Sequence, residues 1–400
     1  MSARRDFDVL IAGGGMVGGA LAALLAGGEL TRGLRVALVE PQPAPAPLPG
    51  EPLDLRVSAL ARAGERLLAG VGAWPLLAAR RPCPYERMIV WDAASSAGGT
   101  ETLTFDAAEA GEPNLGHIVE NRAVAAALIE RALALGVTLV RSPVTGLELG
   151  ADVARATLGG RSVAAGLVVA ADGADSPLRQ LAGLDGDGAP YPAEAVVTHL
   201  APELPHGGAA RQRFLATGPL GILPLADGRV SIVWSTTPAE AARLVALDDA
   251  AFAAAATGAS DGVLGALAVT APRARFALRR YNARSYAATR LVLVGDAAHT
   301  VHPLAGQGVN QGFLDVLALA AELGRALGAG EDPGDARVLG RYARARRADN
   351  AVMGAALDAI FRLFTDERAA VRRGRRLGLA LVNRAAPLKR LLVERALGAP

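Results

Sequence analysis

Phe7-Asp8-Val9-Leu10-Ile11-Ala12-Gly13-Gly14-Gly15-Met16-Val17-Gly18 runs from an apolar β-type segment into a glycine-rich turn, and Ala20–Ala26 beyond it is helical in composition. Strand, Gly-x-Gly-x-x-Gly turn and helix in that order form the dinucleotide-binding fingerprint. Gly13 permits the tight turn, Gly15 lets a pyrophosphate approach the backbone, and Gly18 lets helix and strand pack closely. Met16 and Val17 complete the turn, where the helix N-terminus offers free N–H groups and partial positive charge to phosphates. A second β-type run, Arg35–Val39, completes a βαβ start and ends on Glu40. An acid there binds ribose hydroxyls and repels a 2′-phosphate. With 47 glycines in the chain, the flanking strand, the helix and Glu40 carry the assignment more than the glycines do.

NAD and FAD both satisfy that motif, and a second turn discriminates between them. Arg290–Val294 is a buried-strand pattern delivering Gly295-Asp296. Asp296 is placed to accept hydrogen bonds from a ribityl chain, which only a flavin has. Further on, Pro303 precedes Gly306-Gln307-Gly308-Val309-Asn310, which opens a long helical run, Val309–Leu327. The dipole of that helix would favour the negative charge of a reduced isoalloxazine. Two turns, each with its acid, point to one FAD held along its length, and so to redox chemistry.

Four hundred residues, 51% of them hydrophobic, suffice for a large core and two joined domains. The net charge of +3 is modest. Its excess gathers at Arg341–Arg347 and Arg372–Arg376, as solvated helix faces or as a surface for anionic lipid. No basic patch is interleaved with aromatics, so nucleic acid is not an expected partner. Cys83 is the only cysteine, which excludes intramolecular disulfides and Cys-rich zinc sites. His299 and His302 are the only close histidine pair and have no carboxylate at metal spacing beyond the flavin-type Asp296, so no metal is expected. Arg4-Arg5 before an uncharged stretch superficially matches a twin-arginine export signal. Asp6, Asp8 and the crowded glycines favour strand, turn and helix instead, and the expected location is cytoplasmic.

Pro41–Pro52 is proline-rich and must be extended. Helical runs are expected at Leu60–Leu68, Arg122–Leu135 and Ala239–Leu267, and almost throughout after Val294. Strands are expected at Met88–Trp91, Thr102–Phe105, Val137–Val140, Val144–Leu149, Val153–Leu158 and Leu167–Ala171. Between Tyr191 and Ser235 the β-type runs, among them Gly221–Leu225 and Arg229–Ser235, predict a separate antiparallel sheet.

With these motifs in place the chain resembles the group A flavin monooxygenases of the para-hydroxybenzoate hydroxylase fold, and within them the hydroxylases of ubiquinone biosynthesis. The resemblance rests on the N-terminal fingerprint, Asp54-x-Arg56-x-x-Ala59-Leu60, Met88-x-Val90-Trp91-Asp92 and Leu115-Gly116-His117-Ile118-Val119-Glu120-Asn121. It continues through Ala171-Asp172-Gly173-x-x-Ser176-x-x-Arg179, Leu223-Pro224-Leu225, Val294-Gly295-Asp296-Ala297-Ala298-His299 and Pro303-x-x-Gly306-Gln307-Gly308-x-Asn310. It implies an α/β fold: a Rossmann-like FAD-binding domain of glutathione-reductase type (1–75, 103–182, 284–345), an inserted antiparallel-sheet substrate domain (76–102, 183–283) and a helical C-terminus (346–400). It further implies that Arg56 lies over the flavin and its phosphates and that Asn121 or Arg122 approaches the ribityl or ring. Asp172 would serve both FAD and the transient pyridine nucleotide. Asp296 would hold the ribityl hydroxyls, and Pro303 to Asn310 would line the reactive ring. Asn310-Gln311-Gly312-Phe313-Leu314-Asp315 departs from the more usual Asn-Leu-Gly-x-Arg-Asp, which puts the packing beneath the ring in question.

The implied activity is ring hydroxylation of a polyprenylated phenol. NADPH or NADH reduces FAD, O2 forms the C4a-hydroperoxide, and one oxygen atom passes to the ring. No protein side chain is singled out as a catalytic group. Such a substrate implies a membrane surface or a lipid-carrying accessory protein as partner, peripheral placement at the inner membrane, and leaves a homo-oligomer open. Leu377–Leu397, apolar with Arg384, Lys389, Arg390 and Arg395, is either an amphipathic contact segment or a packed C-terminal helix. His299 and His302 are expected to be structural, and Trp91 and Trp234 to pack in the core. Tyr191, His199, Arg213 and Tyr286 have no assigned place. A related hydroxylase of another aromatic, a reductase or oxidase of the same fold, and a non-catalytic flavoprotein are the alternatives. A halogenase would need a lysine beside the ring, and Lys389 in the tail is the only one.

Overall fold

A computed structural model describes residues 5–48, 50–78, 80–300, 307–366, 368–384, 389 and 397. Its first sheet is built on Phe7–Ala12, which lies parallel between Val36–Val39 and Arg161–Ala170. Thr138–Val140 extends the parallel ladder on one side and Leu291–Leu293 on the other. Leu10, Ile11, Leu167 and Leu293 are fully buried. Helices cover both faces of such a sheet, so its strands are near-continuous apolar runs rather than alternating ones.

Five helices matter for the site: α1 (Met16–Gly27), α2 (Asn121–Ala134), α3 (Gln307–Gly328), α4 (Ala336–Thr365) and α5 (Ala369–Arg384). α1 follows the central strand directly and packs against α2 and α3. Gly19 allows the first of these contacts, because a Cβ there would lie 3.1 Å from the Cβ of Leu128.

The second sheet is mainly antiparallel. It runs in the order His299–Thr300, Ala274–Asn282, Asp187–Pro202, Val230–Thr236, Gly218–Pro224, Ala209–Leu215, Arg87–Asp92 and Leu103–Asp106. Val196, Leu200, Ile222 and Ile232 on one face pack with Leu244 and Phe252 of two short helices. The other face turns Ala193, Ala195 and Phe214 onto Leu357, Phe361 and Phe364 of α4. Leu103–Asp106 forms a hairpin with Arg87–Asp92, so the expected division at residue 103 falls within this sheet. A small third sheet joins Val57–Ala61 and Cys83–Tyr85 to Gly116–Glu120.

The α/β fold with a separate antiparallel sheet and a helical C-terminal part is as expected, and 41–48 and 50–52 hold neither helix nor strand. Two local expectations fail. Leu60–Leu68 is not one helix: Val57–Ala61 is a strand, and the helix starts at Arg62. The strand's partner lies some sixty residues on, beyond the reach of local propensity. Ala239–Leu267 is two helices, Pro238–Ala246 and Asp249–Ala259. Asp248 interrupts the run by accepting a hydrogen bond from Ala251 N, an N-cap that starts a new helix.

The two glycine-rich turns meet on Val17. A Cβ on Gly312 would lie 2.6 Å from Val17 Cγ2, and one on Gly295 3.1 Å from the same atom. Beneath them Asp315 is fully buried. It accepts hydrogen bonds from Gly295 N (2.9 Å), Arg346 Nε (2.7 Å) and Asn350 Nδ2 (3.2 Å), and its Oδ2 lies 2.6 Å from His299 Nε2. Burial alone pushes its carboxyl pKa up, but His299 and Arg346 outweigh that and hold it below the usual value. The stabilisation is present above the ordinary carboxyl pKa of about 3.9 and is lost as pH falls through the lower folded value. Asp315→Asn strips the charge from this partner set and is expected to cost about 3–5 kcal/mol. An unchanged guanidinium unfolding midpoint, followed by tryptophan fluorescence, would contradict this.

Candidate flavin site

The first turn is shaped by what cannot fit in it. Gly13 has φ +103°, and a Cβ there would lie 2.2 Å from the carbonyl oxygen of Ala171. A Cβ on Gly18 would lie 1.9 Å from the Gly13 carbonyl oxygen. Gly15, the N-cap of α1, is different: its φ is −68° and nothing lies within 4 Å of its Cβ position. No side chain caps α1, so the open space before Gly15 faces uncapped helix N–H groups. Glu40 closes one side. Its carboxylate accepts from Gly14 N at 2.7 Å and from Gln42 N at 3.0 Å, and each oxygen keeps a lone pair for a ribose hydroxyl.

The neighbouring strand brings Asp172 beside this turn. Asp172 Oδ2 accepts from Leu178 N at 3.1 Å, while Oδ1 is buried without a partner. Burial raises its pKa, against hydrogen bonds from Ser176 and Leu178. An orphaned buried acceptor is costly, and a ligand hydroxyl would satisfy it.

Gly295, with φ +60°, turns the chain into Asp296. Asp296 is exposed along one side, yet protein crowds the rest of it. That desolvation raises its pKa against the pull of His299, Arg56 and Arg279. Arg56 is thus within electrostatic reach of the second turn. Its own backbone is fixed, with Arg56 N donating to Asp54 Oδ1 (2.8 Å) and its carbonyl accepting from Asn121 N (3.0 Å). Asn121 Oδ1 accepts from Ser58 Oγ at 2.7 Å. Arg122 pairs with Glu51 at 2.9 Å and stands 3.7 Å from Asp54; the hydrogen bond to Glu51 chiefly raises its pKa. Asn121 and Arg122 therefore anchor the loop that carries Arg56.

Pro303 and Gly306 lie outside the described residues, as does His302. Gln307, Gly308 and Val309 form the first turn of α3. Asn310 uses its amide to hold the third sheet: Oδ1 accepts from Ala61 N and Nδ2 donates to Ala59 O, both at 2.9 Å.

Two positioning features carry no assigned role in the sequence. Arg179 is buried and donates to Ala297 O and Ala174 O, both at 3.0 Å, stapling the Asp172 turn to the Gly295 turn. Its place in Ser176-x-x-Arg179 was the available signal. His199 and Ser231, directly opposed in the second sheet, are fully buried, and the ring nitrogens and hydroxyl have no partner. Alternation places them on the face away from the two short helices. Tyr286, by contrast, is buried against His299. Tyr191 hydrogen-bonds Asp358 of α4, and Arg213 is spent on Gly258 O, Ala259 O and Asp261.

A family model described as an FAD binding domain matches residues 6–354. The chain belongs to this family. The ubiquinone hydroxylase UbiL of Rhodospirillum rubrum is 39% identical, over 99% of this chain and 91% of that protein. The 3-demethoxyubiquinol 3-hydroxylase of Escherichia coli is 38% identical over 98% of each. Among solved structures, p-nitrophenol 4-monooxygenase PnpA from Pseudomonas putida aligns with TM-score 0.77 at 20% identity, covering 98% of both chains, and shares the fold. FAD is the cofactor of this flavoprotein family, and the open Gly15 cradle, Glu40 and the orphaned Asp172 oxygen all suit it.

Gly15→Ala and Gly13→Ala should separate ligand space from chain folding. Gly15→Ala is expected to melt like the parent yet retain FAD at least about tenfold more weakly, because its methyl group occupies pyrophosphate space. Gly13→Ala is expected to lose folded protein outright. Equal FAD retention in Gly15→Ala and the parent would contradict the cradle.

Proposed function

We propose that this chain is an FAD-dependent monooxygenase that hydroxylates the aromatic ring of a polyprenylated phenol in ubiquinone biosynthesis, using NADPH or NADH and O2. The observation that carries the reading is near-full-length identity of 38–39% to two proteins named as ubiquinone-pathway hydroxylases, over a chain that keeps both turns. When bound, FAD would supply the redox chemistry, taking hydride from the pyridine nucleotide and passing one oxygen atom of O2 to an electron-rich ring carbon while the other leaves as water.

The protein's share is placement and electrostatics. The uncapped start of α1 and Glu40 hold the diphosphate and ribose. Asp296 and Asp172 take ribityl hydroxyls and the passing nicotinamide nucleotide. The N-terminal turn of α3 sets its dipole against developing negative charge on the ring. Burial, with Arg229 next, pushes His199 down to about 4, so the imidazole is neutral at working pH. A neutral imidazole offers one donor and one acceptor, and beside Ser231 it leaves buried polar atoms without a partner in the described structure. The halogenase reading lacks its lysine, because Lys389 is engaged by Glu109 at 2.8 Å.

A polyprenylated substrate has to be met at a membrane surface or handed over by a lipid-carrying protein, and either arrangement is open to a monomer or a homo-oligomer. Among the described residues no helix is long and apolar enough to cross a membrane.

The decisive assay supplies NADPH or NADH, isotopically labelled O2 and a detergent-solubilised short-chain prenylphenol to the FAD-loaded protein. One labelled oxygen per product ring is expected. Pyridine-nucleotide oxidation that yields only hydrogen peroxide, or an unlabelled reduced product, would favour the oxidase or reductase alternative. A chain that takes up FAD yet never oxidises the nucleotide would favour the non-catalytic one.

A further inference from the structure

The last described helices carry an apolar face that no other described residue covers. On α4, Val352, Ala356, Ile360 and Leu363 recur at helical spacing and are exposed, Val352 to 72%, Ile360 to 39% and Leu363 to 42%. The opposite side of α4 is committed to the second sheet through Leu357, Phe361 and Phe364. Leu381 on α5, the helix packed beside it, is 67% exposed.

Arginines border this stripe. Arg344, Arg347 and Arg362 are exposed on α4, and among the described residues none has a carboxylate partner. The acids of the same stretch are already engaged: Asp349 pairs with Arg346, and Asp358 with Arg280 and Tyr191. Beyond α4 the sequence from Arg368 to Val393 contains seven arginines and one lysine but no Asp or Glu. Arg375 of that set is spent on Asp92 at 2.5 Å.

We infer that the exposed face of α4, with α5 beside it, docks onto the surface of a bilayer containing anionic lipid, apolar stripe into the interface and arginines among the headgroups. The inference rests on the prenylated-substrate reading for its purpose, but not for its physics. Modest apolar insertion combined with basic charge is the two-signal pattern that makes a helix bind reversibly to an anionic interface. A second copy of the chain is the poorer occupant. A two-fold contact centred here presses like-charged arginines together, and among the described residues of α4 no acid is left free between them. The surface lies on α4 and α5, upstream of most of the Leu377–Leu397 segment, of which only 377–384, 389 and 397 are described.

Full-length, FAD-loaded protein tested by co-sedimentation with vesicles settles the matter without using enzyme activity, so a failed hydroxylase reading and a failed docking reading stay distinct. Binding is expected to phosphatidylcholine vesicles containing phosphatidylglycerol, to be weak with phosphatidylcholine alone, and to fall with salt. V352S alone, the triple variant V352S/I360S/L363S and the triple variant R344Q/R347Q/R362Q are compared at matched FAD content and melting temperature. Each triple variant is expected to bind at least about tenfold more weakly, and V352S, the most exposed single site, to show the same direction without risk to packing. Absence of binding to anionic vesicles, or parental binding by the variants, overturns the inference. So does a stable dimer that V352S dissociates and vesicles do not capture.

Discussion

The site depends on one close approach, Val17 against Gly295 and Gly312. Val17 stands in the first turn of α1, Gly295 lies two residues beyond the Leu291–Leu293 strand of the first sheet, and Gly312 lies one turn into α3. A Cβ at Gly312 would force Val17 to shift, and one at Gly295 would press on the same side chain from a strained, positive-φ backbone. The cost would fall on geometry as well as packing, since the adenosine and flavin ends of one cofactor must be gripped at a fixed separation. Asp315 secures the arrangement from below, because it holds Gly295 N on one side and Arg346 of α4 on the other. A buried charge with this many partners fixes position more surely than it adds stability.

The same segment links the two layers. Leu291–Leu293 belongs to the first sheet, and six residues later His299–Thr300 pairs with Tyr281 and Asn282 of the second. Between them lie Gly295 and Asp296, with Arg179 bonded to Ala297. The turn proposed to hold the flavin is therefore also the seam between the first and second sheets. Rigid coupling there serves a reaction in which a ring carbon must be held close to the cofactor while water is kept away.

The sequence makes legible what is written in local chemistry. Gly13 and Gly18 announce the turn because only glycine tolerates such contacts, Gly15 because it leaves space open for a ligand, and Glu40 stands where its strand ends. What was not legible depends on distant partners. Val57–Ala61 looks helical until Gly116–Glu120 supplies its ladder. Asn310, expected near the ring, has its amide bonded to Ala59 and Ala61, a fact of tertiary register that no spacing reveals. The unusual Gln311 beside it proves to be an acceptor for Arg346, so that departure from the family pattern is absorbed into the Asp315 network. His199 gave no local signal, since its meaning lies in burial opposite Ser231.

One dinucleotide spanning both turns would have its adenosine diphosphate end held by α1 and Glu40 and its flavin end by the turn after Leu293. Titrating flavin-free protein with FAD and, separately, with FMN tests this directly, because the two share the flavin and ribityl chain but FMN lacks the adenosine end. Quenching of flavin fluorescence should show FAD binding at least about a hundredfold more tightly, as a free energy difference of about 2.7 kcal/mol or more from the lost contacts requires. Equal affinities, or no binding of either, would contradict the account.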